Sequence, residues 1–205
     1  MMKPTLVSFF LLFAFPLAFA QQVLDINDNP IFPGREYYIR PAIRGPPGGG
    51  VRLATTGNSK CPATVLQDYN EVINGISVKF TIPGVSTLEI YEGTPLEIEF
   101  TKKPDCVESS KWIIFVDNDI GKACAGIGGA EDHPGQQTFP GTFSIKKYNF
   151  GYKLVFCVAG SSTCLDIGRY DVGEGGRRLN LTEGEAFDIV FVEASSDNNV
   201  IKSVV

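Results

Sequence analysis

Histidine is almost missing from this chain: there is one in 205 residues, beside a single Trp and two Met. With no CxxC pair among its five cysteines either, the usual zinc ligand sets are excluded, because they need several His or Cys at short fixed spacings. No metal and no cofactor is expected. His133 stands alone among turn residues in "AEDHPGQQ" and reads as an exposed, chemically idle side chain. A basic stripe is also absent, since the 18 Lys and Arg are scattered and the net charge is −5. Nucleic acid and anionic membrane are therefore excluded as partners. Ser161, Ser162 and the Asp residues form no nucleophile, base and orienter arrangement, so the chain does not read as an enzyme.

A long apolar run occurs only at the start, in "MMKPTLVSFFLLFAFPLAFA". One Lys, an apolar stretch broken by Pro16, and the small-x-small triplet Ala18-Phe19-Ala20 describe a cleavable signal peptide over residues 1–20. The stretch is shorter than the roughly 20 residues that span a bilayer, so no permanent anchor is expected. Residues 21–205 then form one domain of ordinary size. An exported chain meets an oxidising compartment in which cysteines pair. Of Cys61, Cys106, Cys124, Cys157 and Cys164, four can pair and one is left over. Spacing leaves the connectivity open, although Cys157 and Cys164 enclose only "VAGSST" and could close a hairpin.

Helical periodicity is missing too: no window of a dozen residues carries an apolar helical stripe. What recurs are short segments rich in aromatic and β-branched residues: "EYYIRPA", "SVKFTI", "STLEIYE", "PLEIEFT", "KWIIFVD", "TFSIKKY", "GYKLVFCV", "RRLNL" and "FDIVFVEA". With 22 Gly and 13 Pro to separate them, the expected class is all-β. "GTPLEIEF" at 93–100 echoes "GEAFDIVF" at 184–191, which hints at internal repetition and fits a sandwich, a barrel or a trefoil.

The segment "VLDINDNPIFPGREYYI" at 23–39 resembles the signature of the plant Kunitz-type protease inhibitors, through Asp25, Asp28, Asn29, Ile31, Tyr37 and Ile39. "GGGVRLATTGNSKCP", "GTPLEIEF", "YKLVFC", "CLDIG" and "GGRRL" are similar to the family's later blocks and follow in its order. The resemblance implies a β-trefoil of twelve strands with pseudo-threefold symmetry and protease inhibition through one exposed loop. It implies a secreted protein of the apoplast or the vacuole, and a monomer. It also implies disulfides Cys61–Cys106 and Cys157–Cys164, leaving Cys124 as a buried or capped thiol or as a partner for another chain.

On the same resemblance the reactive-site loop is Pro83, Gly84, Val85, Ser86 and Thr87. Counting from Cys61 makes Val85 the P1 residue that fills a protease's specificity pocket, and counting back from Gly93 makes it Ser86. Pro83, two positions before Val85, favours the former. Neither is basic, so trypsin, whose pocket carries a buried Asp, is not the expected target. A serine protease of other specificity, a carboxypeptidase, or a cysteine or aspartic protease is. Pro33 stands where the family has an Asn that braces the loop from within, and proline has no side-chain donor. The competing reading is a storage, miraculin-like or small-ligand-binding trefoil. Arg177 and Arg178 read as a solvated strand start, and Asn180 in Asn-Leu-Thr is a glycosylation acceptor unless its strand buries it.

Overall fold

The alternation in "EYYIRP" becomes a strand with Tyr37, Ile39 and Pro41 buried and Tyr38 and Arg40 partly open. It is β1 (Glu36–Pro41) in a computed structural model that describes residues 20–43, 48–84 and 89–194. Twelve strands follow it: β2 (Val51–Ala54), β3 (Thr64–Asp68), β4 (Val78–Thr81), β5 (Glu97–Phe100), β6 (Trp112–Asp117), β7 (Lys122–Ile127), β8 (Thr138–Phe139), β9 (Gly141–Tyr148), β10 (Gly151–Val158), β11 (Cys164–Asp171), β12 (Gly176–Thr182) and β13 (Ile189–Glu193). The only helix among the described residues is one 3-10 turn, Ala130–Asp132.

Six strands close a barrel. β1 pairs with β4, β4 with β5, β9 with β10, β10 with β13 and β13 with β1, all antiparallel. The ring closes where Leu96 and Phe143 exchange backbone hydrogen bonds of 2.8 and 2.9 Å, joining the start of β5 to β9. Three hairpins, β2–β3, β6–β7 and β11–β12, cap one end. Their inner strands meet in a triangle, with Thr64 opposite Gly126, Asn180 opposite Cys124, and Gly176 to Arg178 opposite Asp68 to Leu66. Three units of two barrel strands around one hairpin make a β-trefoil. The thirteenth segment arises because Pro140, which has no N–H to donate, separates β8, paired with β6, from β9, paired with β10.

Aromatic rings fill the barrel. Phe80 meets Phe191 edge to face at 5.5 Å, Trp112 meets Phe143 likewise at 6.0 Å, and Phe143 leans on Phe156 at 5.1 Å. Such pairs add about 0.5–1.5 kcal/mol each beyond the area they bury. At the triangle space is scarcer: a Cβ on Gly126 would lie 2.7 Å from the Phe115 ring and 2.9 Å from the Ala63 carbonyl.

Several segments depart from the sequence expectation. "STLEIYE" forms no strand over its described residues; Tyr91 makes only an isolated bridge with Gln22. Strands β2, β3, β7, β8 and β11 lie where none was expected. The echo joins strands of unlike position, since residues 97–100 begin the second unit and residues 189–193 end the third.

Candidate functional site

The loop after β4 hangs between two buried anchors, Ile82 at 8 % exposure and Ile90 at 0 %. Pro83 and Gly84 between them are exposed and turn the chain outward, with Gly84 at φ +73°, a conformation suited to glycine. No described residue lies within 4 Å of where a Gly84 Cβ would be. Val85, Ser86 and Thr87 lie outside the described residues.

Both stems are held by residues 23–34. On the amino side, β4 pairs with β5 in continuous register from Val78 opposite Phe100 to Thr81 opposite Glu97. The Gly34 N–H adds a bond to the Phe80 carbonyl at 2.9 Å. On the carboxyl side, Val23 donates to the Ile90 carbonyl at 2.9 Å, Ile90 donates to the Ile31 carbonyl at 3.1 Å, and Ile31 donates to the Val23 carbonyl at 2.9 Å. This closed backbone triangle fixes the carboxyl-side stem through backbone hydrogen bonds, which need no long side chain to be ordered.

The segment is itself rigid for a legible reason. The buried Asp25 carboxylate accepts the N–H groups of Asn27 at 2.8 Å and Asn29 at 2.9 Å, an Asx turn that lets Asp28 adopt φ +61°. The Leu24 N–H donates to the Tyr152 hydroxyl and the Phe32 N–H to the Tyr37 hydroxyl, both at 3.0 Å. Burial pushes the Tyr37 phenol above its ordinary value, the Phe32 bond opposing it, so this support stays un-ionised. Pro33 sits in the turn that follows Phe32, and the next residue, Gly34, donates its N–H to Phe80 in β4.

Other expected roles change. His133 is not exposed: at 5 % exposure it stacks on Phe115 at 4.1 Å and donates Nε2–H to the Ile127 carbonyl at 3.0 Å. It lines a cleft of about 520 Å3 with Thr56, Lys60, Asp117 and Gln136, away from the loop's stems. Arg178 is not a solvated strand start but the largest fully buried side chain. Its guanidinium clasps Glu174 through two bonds of 2.6 and 2.7 Å and donates through Nη1 to Asp117. Burial works against the Arg178 charge, but Glu174 and Asp117 together raise its pKa above the ordinary value. Glu174 in turn is held below its ordinary value by the Arg178 bonds, with burial opposing.

Cys61 is bonded to Cys106 and Cys157 to Cys164. Cys124 is a free thiol at 0 % exposure, pushed up to about 12 by burial although Arg178 draws it down. The Asn180 side chain is buried and its Nδ2 donates to the Leu181 carbonyl at 2.8 Å. A glycan on Nδ2 is incompatible with that packing beside Cys124. Among the described residues no group of three His, Cys, Asp or Glu could hold a metal.

Known proteins resemble the chain along its length. It is 61 % identical over 217 aligned residues to a Kunitz-type trypsin inhibitor-like 2 protein of Pisum sativum, covering all of both. It is 62 % identical over 185 residues to subtilisin inhibitor CLSI-II of Canavalia lineata, covering 88 % of this chain and 96 % of that one. The crystal structure of a Kunitz type trypsin inhibitor from Cicer arietinum superposes with a TM-score of 0.83 at 72 % identity, covering 85 % of this chain and 99 % of that one. The legume Kunitz family, described as trypsin and protease inhibitor, matches residues 23–193, which run from the first residue of the stem triangle to the last of β13. A trefoil with a loop held at both stems by its own N-terminal segment, two disulfides and this likeness over its length belongs to the Kunitz-type protease inhibitor family.

Proposed function

We propose that this protein inhibits a serine endopeptidase with an apolar specificity pocket, of the subtilisin or elastase type, through residues 83–87, with Val85 or Ser86 as P1. The observation that carries the reading is the loop's chemistry: "TIPGVSTLEIYE", residues 81–92, contains no Lys or Arg. Trypsin's buried Asp would meet no partner, at a cost of about 2–5 kcal/mol, or between one and four orders of magnitude in affinity. A Val side chain suits a small apolar pocket; of the similar proteins, the Canavalia one is named for subtilisin and the Pisum and Cicer ones for trypsin, so the loop's own residues carry the choice. The held stems support inhibition rather than substrate behaviour, because a loop ordered beforehand loses little entropy on binding.

The protein acts as an inhibitor and not as an enzyme, and works outside the cell or in the vacuole after loss of residues 1–20. A storage or small-ligand-binding trefoil is the second reading, favoured by Pro33 in place of a bracing side chain; the backbone bonds from Gly34 and Ile31 weigh against it.

The test is a residual-activity panel of trypsin, subtilisin, elastase, papain, a serine carboxypeptidase and an aspartic protease, run with the parent, Val85→Arg and Ser86→Arg. Subtilisin or elastase should be blocked by the parent and trypsin spared. One Arg variant should gain trypsin inhibition, and the responsive position is P1. A parent that blocks nothing, with neither variant gaining activity, refutes the proposal.

A further inference from the structure

Beyond the stem triangle, one cluster on the loop's carboxyl side remains unexplained by the fold. Glu89 lies between the loop and the Ile90 anchor, and its carboxylate accepts from Gln22 Nε2 and from the Tyr91 hydroxyl, the latter at 3.0 Å. Gln22 bridges Tyr91 through the backbone, and the Glu92 N–H donates to the Gln21 carbonyl at 2.8 Å. Gln21 and Gln22 are exposed and contribute nothing to the core, whereas the next residue, Val23, is fully buried. Among the described residues, the polar contacts of these two surface side chains and their backbone run to the loop's stem at Glu89, Tyr91 and Glu92.

We infer that Gln21 and Gln22 are positioning residues of the inhibitory loop: they hold Glu89 to Glu92 in line, and trimming the chain to Val23 loosens the loop without unfolding the trefoil. The inference rests on residues 83–87 being the inhibitory loop. Glu89 stands four residues beyond Val85 and three beyond Ser86, on the carboxyl side of the bond a protease would attack. A stem free to swing there raises the ordering entropy of the complex and hastens its dissociation. Trimming by an aminopeptidase would act as a dial on inhibitory strength. The barrel, with β4 paired to β5, and the Ile90 bond to the Ile31 carbonyl remain.

The experiment compares chains beginning at Gln21 and at an N-acetylated Val23, which keeps an uncharged amide at that buried position, with Glu89→Ala and Glu89→Gln in the longer chain. Subtilisin inhibition should weaken by about tenfold in the shorter chain and in Glu89→Ala, mostly through faster dissociation, as expected when preorganisation is lost. Glu89→Gln, which keeps an acceptor for Gln22, should stay within about threefold of the parent. Urea midpoints of all four should coincide. Equal inhibition by both chain lengths overturns the inference. If the Gln21 chain inhibits no protease, the functional reading has failed, and the clamp is judged instead by amide exchange at Ile90, whose acceptor, Ile31, trimming leaves in place. Faster Ile90 exchange in the shorter chain upholds the clamp, and equal exchange removes it.

Discussion

Replacing Arg178 by Met should be the most damaging single change to this trefoil outside its aromatic core. The guanidinium lies where β12 meets the other two cap hairpins, with side-chain exposure of 1 % for Arg178 and 5 % for its partner Asp117. Met fills much of the volume but leaves Asp117 as a charge in the interior, still receiving only the Asp119 N–H at 3.0 Å. Glu174 is about a quarter exposed and can turn to water, so its share of the loss is small. Breaking a buried ion pair from one side costs about 3–5 kcal/mol, chiefly from the charge left behind. With a urea slope of about 2 kcal/mol/M, the midpoint should fall by roughly 1.5–2.5 M. Urea unfolding with disulfides intact, followed by near-UV circular dichroism, measures this. Adding Asp117→Asn keeps the turn's acceptor and removes the charge, so the double variant should regain more than half of the loss. A loss below about 1 kcal/mol, or a double variant worse than Arg178→Met, refutes the account.

The remaining expectations concern the thiol, the pH response and the bridges. Cys124, with its pKa pushed up to about 12 by burial, should resist iodoacetamide at pH 8 in the folded protein and react within minutes in 6 M guanidinium as the denaturant exposes it; rapid labelling of the native chain would contradict its burial. Glu174 is held below its ordinary value when folded, so its contribution is present above the unfolded carboxyl pKa of about 4.3 and is lost as pH falls through the folded value. Glu174→Gln should therefore flatten the acid limb of a stability-against-pH curve, and an unchanged limb would exclude the linkage. Removing Cys61–Cys106, which spans 45 residues, should cost about 4 kcal/mol on the chain-entropy estimate, against about 2.5 for Cys157–Cys164, which spans 7. Urea midpoints of the two paired Cys→Ser variants rank them, and a reversed order would show that strain or residual structure dominates.

The barrel strands were legible because each shows one face to the core. Tyr37 and Ile39 in β1 and Ile98 and Phe100 in β5 alternate with open positions, and that period survives in sequence. The cap strands were not. β3 buries Thr64, Val65, Leu66 and Gln67 in succession, and β7 buries the last four of its six residues, so neither alternates. Gly126 weakens a strand on propensity grounds, yet Phe115 leaves no room there for a side chain. Arg178 and His133 were misplaced for the same reason. A sequence shows that a residue is charged or polar, but not that three distant hairpins converge to bury it with Asp117, or against Phe115 and the Ile127 carbonyl. The loop was assigned through family likeness alone, and its stem triangle was invisible because backbone bonds leave no residue signature. The echo of 93–100 in 184–191 came from shared barrel environment, with Ile98, Phe100, Ile189 and Phe191 all buried, and not from equivalent positions in two repeats.

The Cys61–Cys106 bridge has its two halves on opposite sides of the loop. A protease that cut between residues 83 and 88 would make two chains that stay covalently joined, with β4 still paired to β5 across the cut. The new amine and carboxylate would remain neighbours at an effective concentration far above that of any free peptide product, so hydrolysis would gain none of the translational entropy that normally makes it irreversible. Scission here would be a change of connectivity without a change of molecule. It would show as two bands only after reduction, and in the native protein it would be open to reversal by the same enzyme.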